Sequence, residues 1–481
     1  MINIGTKIHD KFSIEFKVGF SGSERDEADN FCVNTWIFVP YSLDINSSTY
    51  SKEQFYHDVK SNIRLITPAY PLSALCNESS DPFCHLLQSI QQLRTNNVPE
   101  RQTECAFQIR MFAAIFKSSL REETKRLLRM AEPSAFQTAC NAYIDNIHSI
   151  LQLYRDCEKP ADKECGQVIA YADEYMSHLT DMQVTKVLLH AEQDFGVSDD
   201  TLCKTLSEFL LTERNYKAAH GYSHLSIDEP KENQELVHRH SLLKKNIESA
   251  LYLKVDTTAD GAAAKQISFG MAAGIAMIIS TLIALPFQKY LGNYPVLIFI
   301  ILVIAYMFKD RIKELVRNQF AHRLKHKYFD HKTTINCKGK KIGWLKEGVD
   351  FISDNQVPDK VYQLRNRSGL ETDNTLLGEK TILYRKQVHI QGEKLQHNTY
   401  TFAGIHDILR MHVQLFTQKM DDSRISLDSI DSKGKIQKIN TLRIYPFHIV
   451  LQFEHNEQTE YRCFRIIATR EGILSIEQIN Y

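Results

Sequence analysis

The chain has 481 residues with 58 basic and 58 acidic side chains, 43% hydrophobic residues and a mean hydropathy of −0.32. That length is too great for one compact core, and the charge balance argues against a partner recognised through overall charge. The ten cysteines include no CxxC pair, which argues against a zinc ribbon or a disulfide framework and fits reduced thiols in the cytosol.

Met1 to Asp10 lacks a basic stretch followed by an apolar one, so no cleavable signal peptide is expected. Phe12, Ile14, Phe16, Val18 and Phe20 alternate with polar residues, the period of a half-buried strand. Phe31 to Val39 is rich in β-branched and aromatic residues and stops at Pro40. The polar Ser21 to Asn30 between them reads as a long hairpin loop, giving a small sheet over 11–40.

From Val98 the period becomes helical. Cys105, Ile109, Phe112, Phe116 and Leu120 form one stripe, and Phe136, Cys140, Tyr143, Ile147, Leu151 and Tyr154 another. Thr180 with Gln183 reads as a capping box, Gly196 as a stop and Ser198 as the cap of a helix carrying Leu202, Leu206 and Phe209. Leu236, His240, Leu243, Ile247 and Leu251 mark a last helix. Residues 98–253 are thus expected to form a bundle of five or six helices within an N-terminal region 1–256, followed by a small-residue linker at 257–266.

Ile267 to Phe287 has no charged side chain and spans roughly 31 Å as a helix; Leu291 to Phe308 spans roughly 27 Å and has tyrosines at its ends. They predict a two-helix transmembrane hairpin over 267–308. Lys309, Arg311, Lys313 and Arg317 follow it on a basic juxtamembrane helix (309–330) that also carries Ile312, Leu315, Val316, Phe320 and Leu324. This flank places both termini in the cytoplasm, with a bacterial inner membrane as the expected location. Gly270, Gly274, Ala276 and Ser280 give the first helix a small-residue face suited to helix packing, and self-association through the hairpin and its extension is expected. Beyond 331 the pattern is strand-like at Thr381 to Ile390, Ile449 to Phe453, Tyr461 to Ile467 and Ile473 to Ile476, with a helix at Ile405 to Met420. The fold class is therefore α+β: a small N-terminal sheet and helical bundle, a membrane hairpin, and a β-rich C-terminal domain at 331–481.

Phosphate-loop, HExxH, GxSxG, kinase and EF-hand patterns are missing. His220 and His224, with Asp228 and Glu229 nearby, are the strongest candidate metal ligands, although a His-rich polar loop accounts for them more simply. No cofactor is expected. The aromatic residues beside the basic stretch are too few to favour nucleic acid. The function that follows is a membrane-tethered sensor, scaffold or effector, its partners the bilayer, anionic headgroups, a cytosolic protein and a second copy of the chain. The alternative is a tethered metal-dependent hydrolase built on His220 and His224.

Overall fold

The computed structural model describes residues 2–21, 29–157, 163–194, 200–225, 230–290, 295–337, 339–366, 378–395, 400–430, 432, 434–456 and 458–479. It is a mixed α+β fold of two compact units. A sheet unit comprises Met1–Asn62, Lys254–Lys394 and Asp407–Tyr481, and a helical unit comprises Ile63–Leu253 and Leu395–His406.

Strands β1 (Ile2–Asp10) and β2 (Ser13–Ser21) belong to a four-stranded sheet of order β1-β2-β9-β4, where β4 is Val59–Leu65 and β9 is Gly404–His412. The larger sheet has eight strands: β3 (Asp29–Pro40), β5 (Lys254–Ala259), β6 (His331–Cys337), β7 (Lys340–Ile352), β8 (Glu379–Ile390), β12 (Tyr445–His455), β13 (Gln458–Thr469) and β14 (Gly472–Ile479). Their order is β14-β13-β12-β3-β8-β7-β6-β5. The expected hairpin of the first two strands is corrected here. β2 pairs with β1, placing Ile4 opposite Val18 and Ile8 opposite Ile14, whereas β3 lies between β12 and β8 with Trp36 opposite both Val450 and Leu383. Alternation marks a strand without naming its partner, so N-terminal and C-terminal strands share one sheet and the division at 256 falls away.

β3 is covered on both faces, which explains its nearly continuous apolar run. Trp36 and Phe38 pack on Val361 and Leu364 of the helix Asp359–Asn366. Val33 and Thr35 line a cavity of about 20 Å³ with Phe16 and Val18 of β2, Tyr384 and Lys386 of β8, and Asp407 and Leu409 of β9. The two sheets therefore face each other around a core that holds one buried cation. Lys386 meets Asp407 and, at 3.1 Å, Glu347; Ser61 donates to Asp407 at 2.6 Å and Tyr384 donates to Glu347. Burial works against the ammonium, but the two carboxylates outweigh it and raise the Lys386 pKa. Glu347 responds oppositely: desolvation alone would raise it, and Lys386 with Tyr384 brings it below the usual carboxylate range.

The helical unit contains α2 (Asp81–Thr95), α3 (Pro99–Leu127), α4 (Pro133–Arg155), α5 (Lys163–Asp194), α6 (Asp200–Ala219) and α7 (Pro230–Glu248); α1 (Lys52–Asp58) belongs to the sheet unit. The stripes on α3 and α4 are buried as expected, Phe112 stacking on Tyr154 with centroids 5.6 Å apart. Thr180 does not begin a helix: it is fully buried inside α5, where Ala172 to Thr180 are buried without interruption. A helix buried all round has neighbours on every side. Some of its polar residues are paired, whereas Tyr175 Oη, His178 Nε2 and Thr180 Oγ1 have no hydrogen-bond partner among the described residues. Arg155 of α4 meets Asp173 at 3.1 Å and also Glu213 of α6, with its guanidinium 3.5 Å above the Tyr216 ring. The stop at Gly196 and the cap at Ser198 lie outside the described residues.

Two further expectations are corrected. The linker at 257–266 contains the end of edge strand β5, its Thr257 opposite Thr333, and the start of a long helix. Ile405 to Met420 is β9 followed only by the short helix Gln414–Gln418.

Candidate membrane hairpin and its charged root

Between β5 and β6 the chain forms α8 (Ala262–Tyr290) and α9 (Pro295–Lys327), an antiparallel helical pair leaving the edge of the eight-stranded sheet. Among the described side chains of α8, Ser268, Ala272 and Ala276 are buried, spaced by four, and Ser280 continues the line by donating to the Ala305 carbonyl at 3.3 Å. On α9, Ala305 is buried and Ile312, Val316 and Phe320 are half-buried in the same row. Small side chains let the two backbones approach closely. The row of α9 that begins at Ala305 thus includes Ile312, Val316 and Phe320 of the juxtamembrane stripe. Gly270 and Gly274 stand apart from this seam, since a Cβ at either would meet nothing within 4 Å, and Leu315 points outward.

The outward surface is apolar. Ile278 and Leu282 of α8 are 62% and 65% exposed, Phe299 and Met307 of α9 68% and 64%, and Ile267, Met271, Ile275, Val296, Val303 and Ile304 are exposed with them. Among the described residues one helical window, Ala262–Ile283, has the length and apolarity to cross a membrane. The hairpin register corrects the expectation of two matched spans over Ile267 to Phe287 and Leu291 to Phe308. Ser280 lies level with Ala305, and the Arg317 guanidinium sits 5.4 Å from the Phe269 ring centroid. The root half of the apolar α8 segment therefore runs beside the 309–318 stretch of α9, which carries Lys309, Asp310, Arg311, Lys313, Glu314 and Arg317 between its apolar residues. Lys309 folds over Tyr306 at 3.8 Å, while Arg311, Lys313 and Arg317 are exposed. Leu291 to Tyr294 lie outside the described residues.

The hairpin is held at its root by a charged cluster that sequence inspection missed. Asp260 accepts from the Phe329 N–H at 3.2 Å and pairs with Lys346 at 3.1 Å. Asp330 accepts from Lys52 at 2.8 Å, Tyr56 at 3.1 Å and the Val349 N–H at 2.9 Å. Lys52 also reaches Asp350 at 3.1 Å, which Arg385 approaches at 3.1 Å. Burial disfavours the charged form of Asp330, but hydrogen bonds from Lys52, Val349 and Tyr56 outweigh it and hold the carboxyl below the usual range. The partners come from α1, β7, β8 and the hairpin ends, so they fix the pair of helices to the sheet edge. Gly261 makes the turn into α8 at φ +70°, and a Cβ there would sit 2.5 Å from Tyr328 Cγ. Gly261→Val is accordingly expected to cost about 2 kcal/mol or more from strain and clash together. Gly221→Ala, also at positive φ but in open space, should cost about 1 kcal/mol. Chemical denaturation of both variants checks the difference.

His220 and His224 lie just beyond the end of α6. His220 stacks on Tyr216 with centroids 4.0 Å apart, its Nδ1 2.9 Å from the Tyr216 carbonyl, and His224 is exposed. Asp228 and Glu229 lie outside the described residues, and among the described residues no three His, Cys, Asp or Glu side chains are grouped to hold a metal ion.

No protein-family model matches the chain, and no curated protein matches it in sequence.

Proposed function

We propose that the chain is a membrane-tethered, non-enzymatic binding module, a sensor, scaffold or effector whose sheet and helical units meet partners in the cytosol while the α8–α9 hairpin anchors them. The observation that carries this reading is the hairpin's outward surface: large apolar side chains on both helices are exposed, while Ser268, Ala272, Ala276 and Ala305 are buried in the seam. Water is the wrong solvent for such a surface, whereas lipid requires only that helix backbones be internally hydrogen-bonded. The root cluster supports the same reading, because a tether transmits position only when rigidly joined to what it holds. The basic residues of α9 favour an anionic cytosolic leaflet.

Membrane fractionation with a high-pH carbonate wash tests the reading. The native chain is expected in the washed pellet. Ile278→Arg, at an exposed position in the hairpin, adds roughly 2.5–3.5 kcal/mol on insertion scales and should move much of the protein to the supernatant. A native chain released entirely by the wash would refute the tether.

A further inference from the structure

We propose that the hairpin enters one leaflet obliquely without crossing the bilayer, with α8 facing the acyl chains and the basic side of α9 lying among anionic headgroups. The inference rests on the tether reading and comes from the hairpin register. Level pairing of Ser280 with Ala305 puts Lys309 at about the height of Ala276. Toward the tip from there, both helices are apolar apart from Gln288 and Lys289, but α9 contributes only Pro295 to Phe308, 14 residues or about 21 Å. The hydrocarbon core is about 30 Å thick. Moving the pair deeper to use the longer α8 segment would carry Asp310, Arg311, Lys313 and Glu314 into hydrocarbon, all exposed on α9.

The root half instead has two unlike sides. Ile267, Met271 and Ile275 are exposed on α8, and Lys309, Arg311, Lys313 and Arg317 lie on α9 beside them. Such a two-sided surface matches the boundary between acyl chains and headgroups, as an interfacial amphipathic helix does. Toward the tip exposed apolar residues lie on both helices, Ile278, Leu282 and Leu285 on α8 and Val296, Phe299 and Met307 on α9, as a deeper position requires. The tilt also leaves the sheet edge at the membrane surface.

The test is a depth series on the full chain reconstituted in vesicles of phosphatidylcholine and phosphatidylglycerol. Trp replaces Ile275, Ile278, Leu282 or Leu285 in turn, all exposed positions where folding should persist. Quenching by lipids brominated at successive acyl positions reports each depth. One-leaflet entry predicts depth increasing steadily from 275 to 285. A crossing hairpin gives its greatest depth near the middle of the series and a shallow Leu285→Trp, which would overturn the inference while leaving the tether intact. Failure of every variant and of the native chain to float with vesicles would instead remove the tether itself. Replacing Lys309, Arg311, Lys313 and Arg317 by Gln together should weaken binding to anionic vesicles at least tenfold and leave binding to pure phosphatidylcholine unchanged. Equal binding by the substituted and native chains would overturn the headgroup contact.

Discussion

Lys386→Met is expected to destabilise the protein by about 3–5 kcal/mol at pH 7, because it leaves Glu347 and Asp407 buried without their shared cation. The pH dependence separates this cause from simple loss of packing. Lys386 has a folded pKa raised above its unfolded value near 10.4, so its contribution is present below that pH and lost as pH rises through the folded value. Glu347 has a depressed folded pKa, so its contribution is present above its unfolded value near 4.3 and lost as pH falls. The deficit of the variant should therefore be flat between about pH 5 and 10 and shrink in acid, where a carboxyl without its cation takes up a proton. Adding Glu347→Gln and Asp407→Asn should recover part of the loss, since neutral amides replace uncompensated charge. Urea unfolding of the three proteins at pH 4 and pH 7 measures it. A single variant within 1 kcal/mol of the native chain would show that the buried ions are not coupled as their geometry implies.

Much of the local structure was legible because it depends on period alone. Alternation around Phe16 and three- or four-residue spacing around Phe112 and Tyr143 correspond to β2, α3 and α4. Pairing was not legible: the partners of β3 are over 300 residues away, and no alternating pattern encodes an address. β9 was misread because Ile405, Ile408 and Leu409 have helical spacing, whereas they belong to a strand buried on both faces where alternation disappears. Thr180 and Gln183 satisfied a capping pattern that says nothing about whether the chain before them is already helical. At the candidate site the apolar segments and basic flank stood out. The root cluster did not, since Lys52, Asp260, Asp330 and Lys346 are ordinary charged residues until folding brings them together. The hairpin register was equally silent.

Acid should unfold this protein early, with His178 and His448 as two identifiable causes. His178 lies in the helical unit with its ring 5.8 Å from that of His240, and His448 lies fully buried in the sheet unit. Burial first, then the cationic neighbours Lys217, His240 and Arg239, brings His178 down to about 3; burial, then Arg365 and Arg465, does the same for His448. A histidine whose folded pKa lies below its unfolded value near 6.5 stabilises the fold above pH 6.5. That contribution is lost as pH falls from 6.5 toward 3, at about 1.4 kcal/mol per pH unit and up to about 5 kcal/mol for each ring. The two sites differ in what replacement costs. Both ring nitrogens of His448 lack a hydrogen-bond partner among the described residues, so His448→Leu discards no paired polar group and should change stability at pH 7 by no more than about 1 kcal/mol. Between pH 6 and pH 4 the same variant should lose roughly one proton's worth of slope relative to the native chain, and His178→Gln another. Denaturant midpoints across that range give the comparison directly. Parallel curves for native and His448→Leu proteins would mean that the ring is charged in the folded state, against its burial beside two arginines.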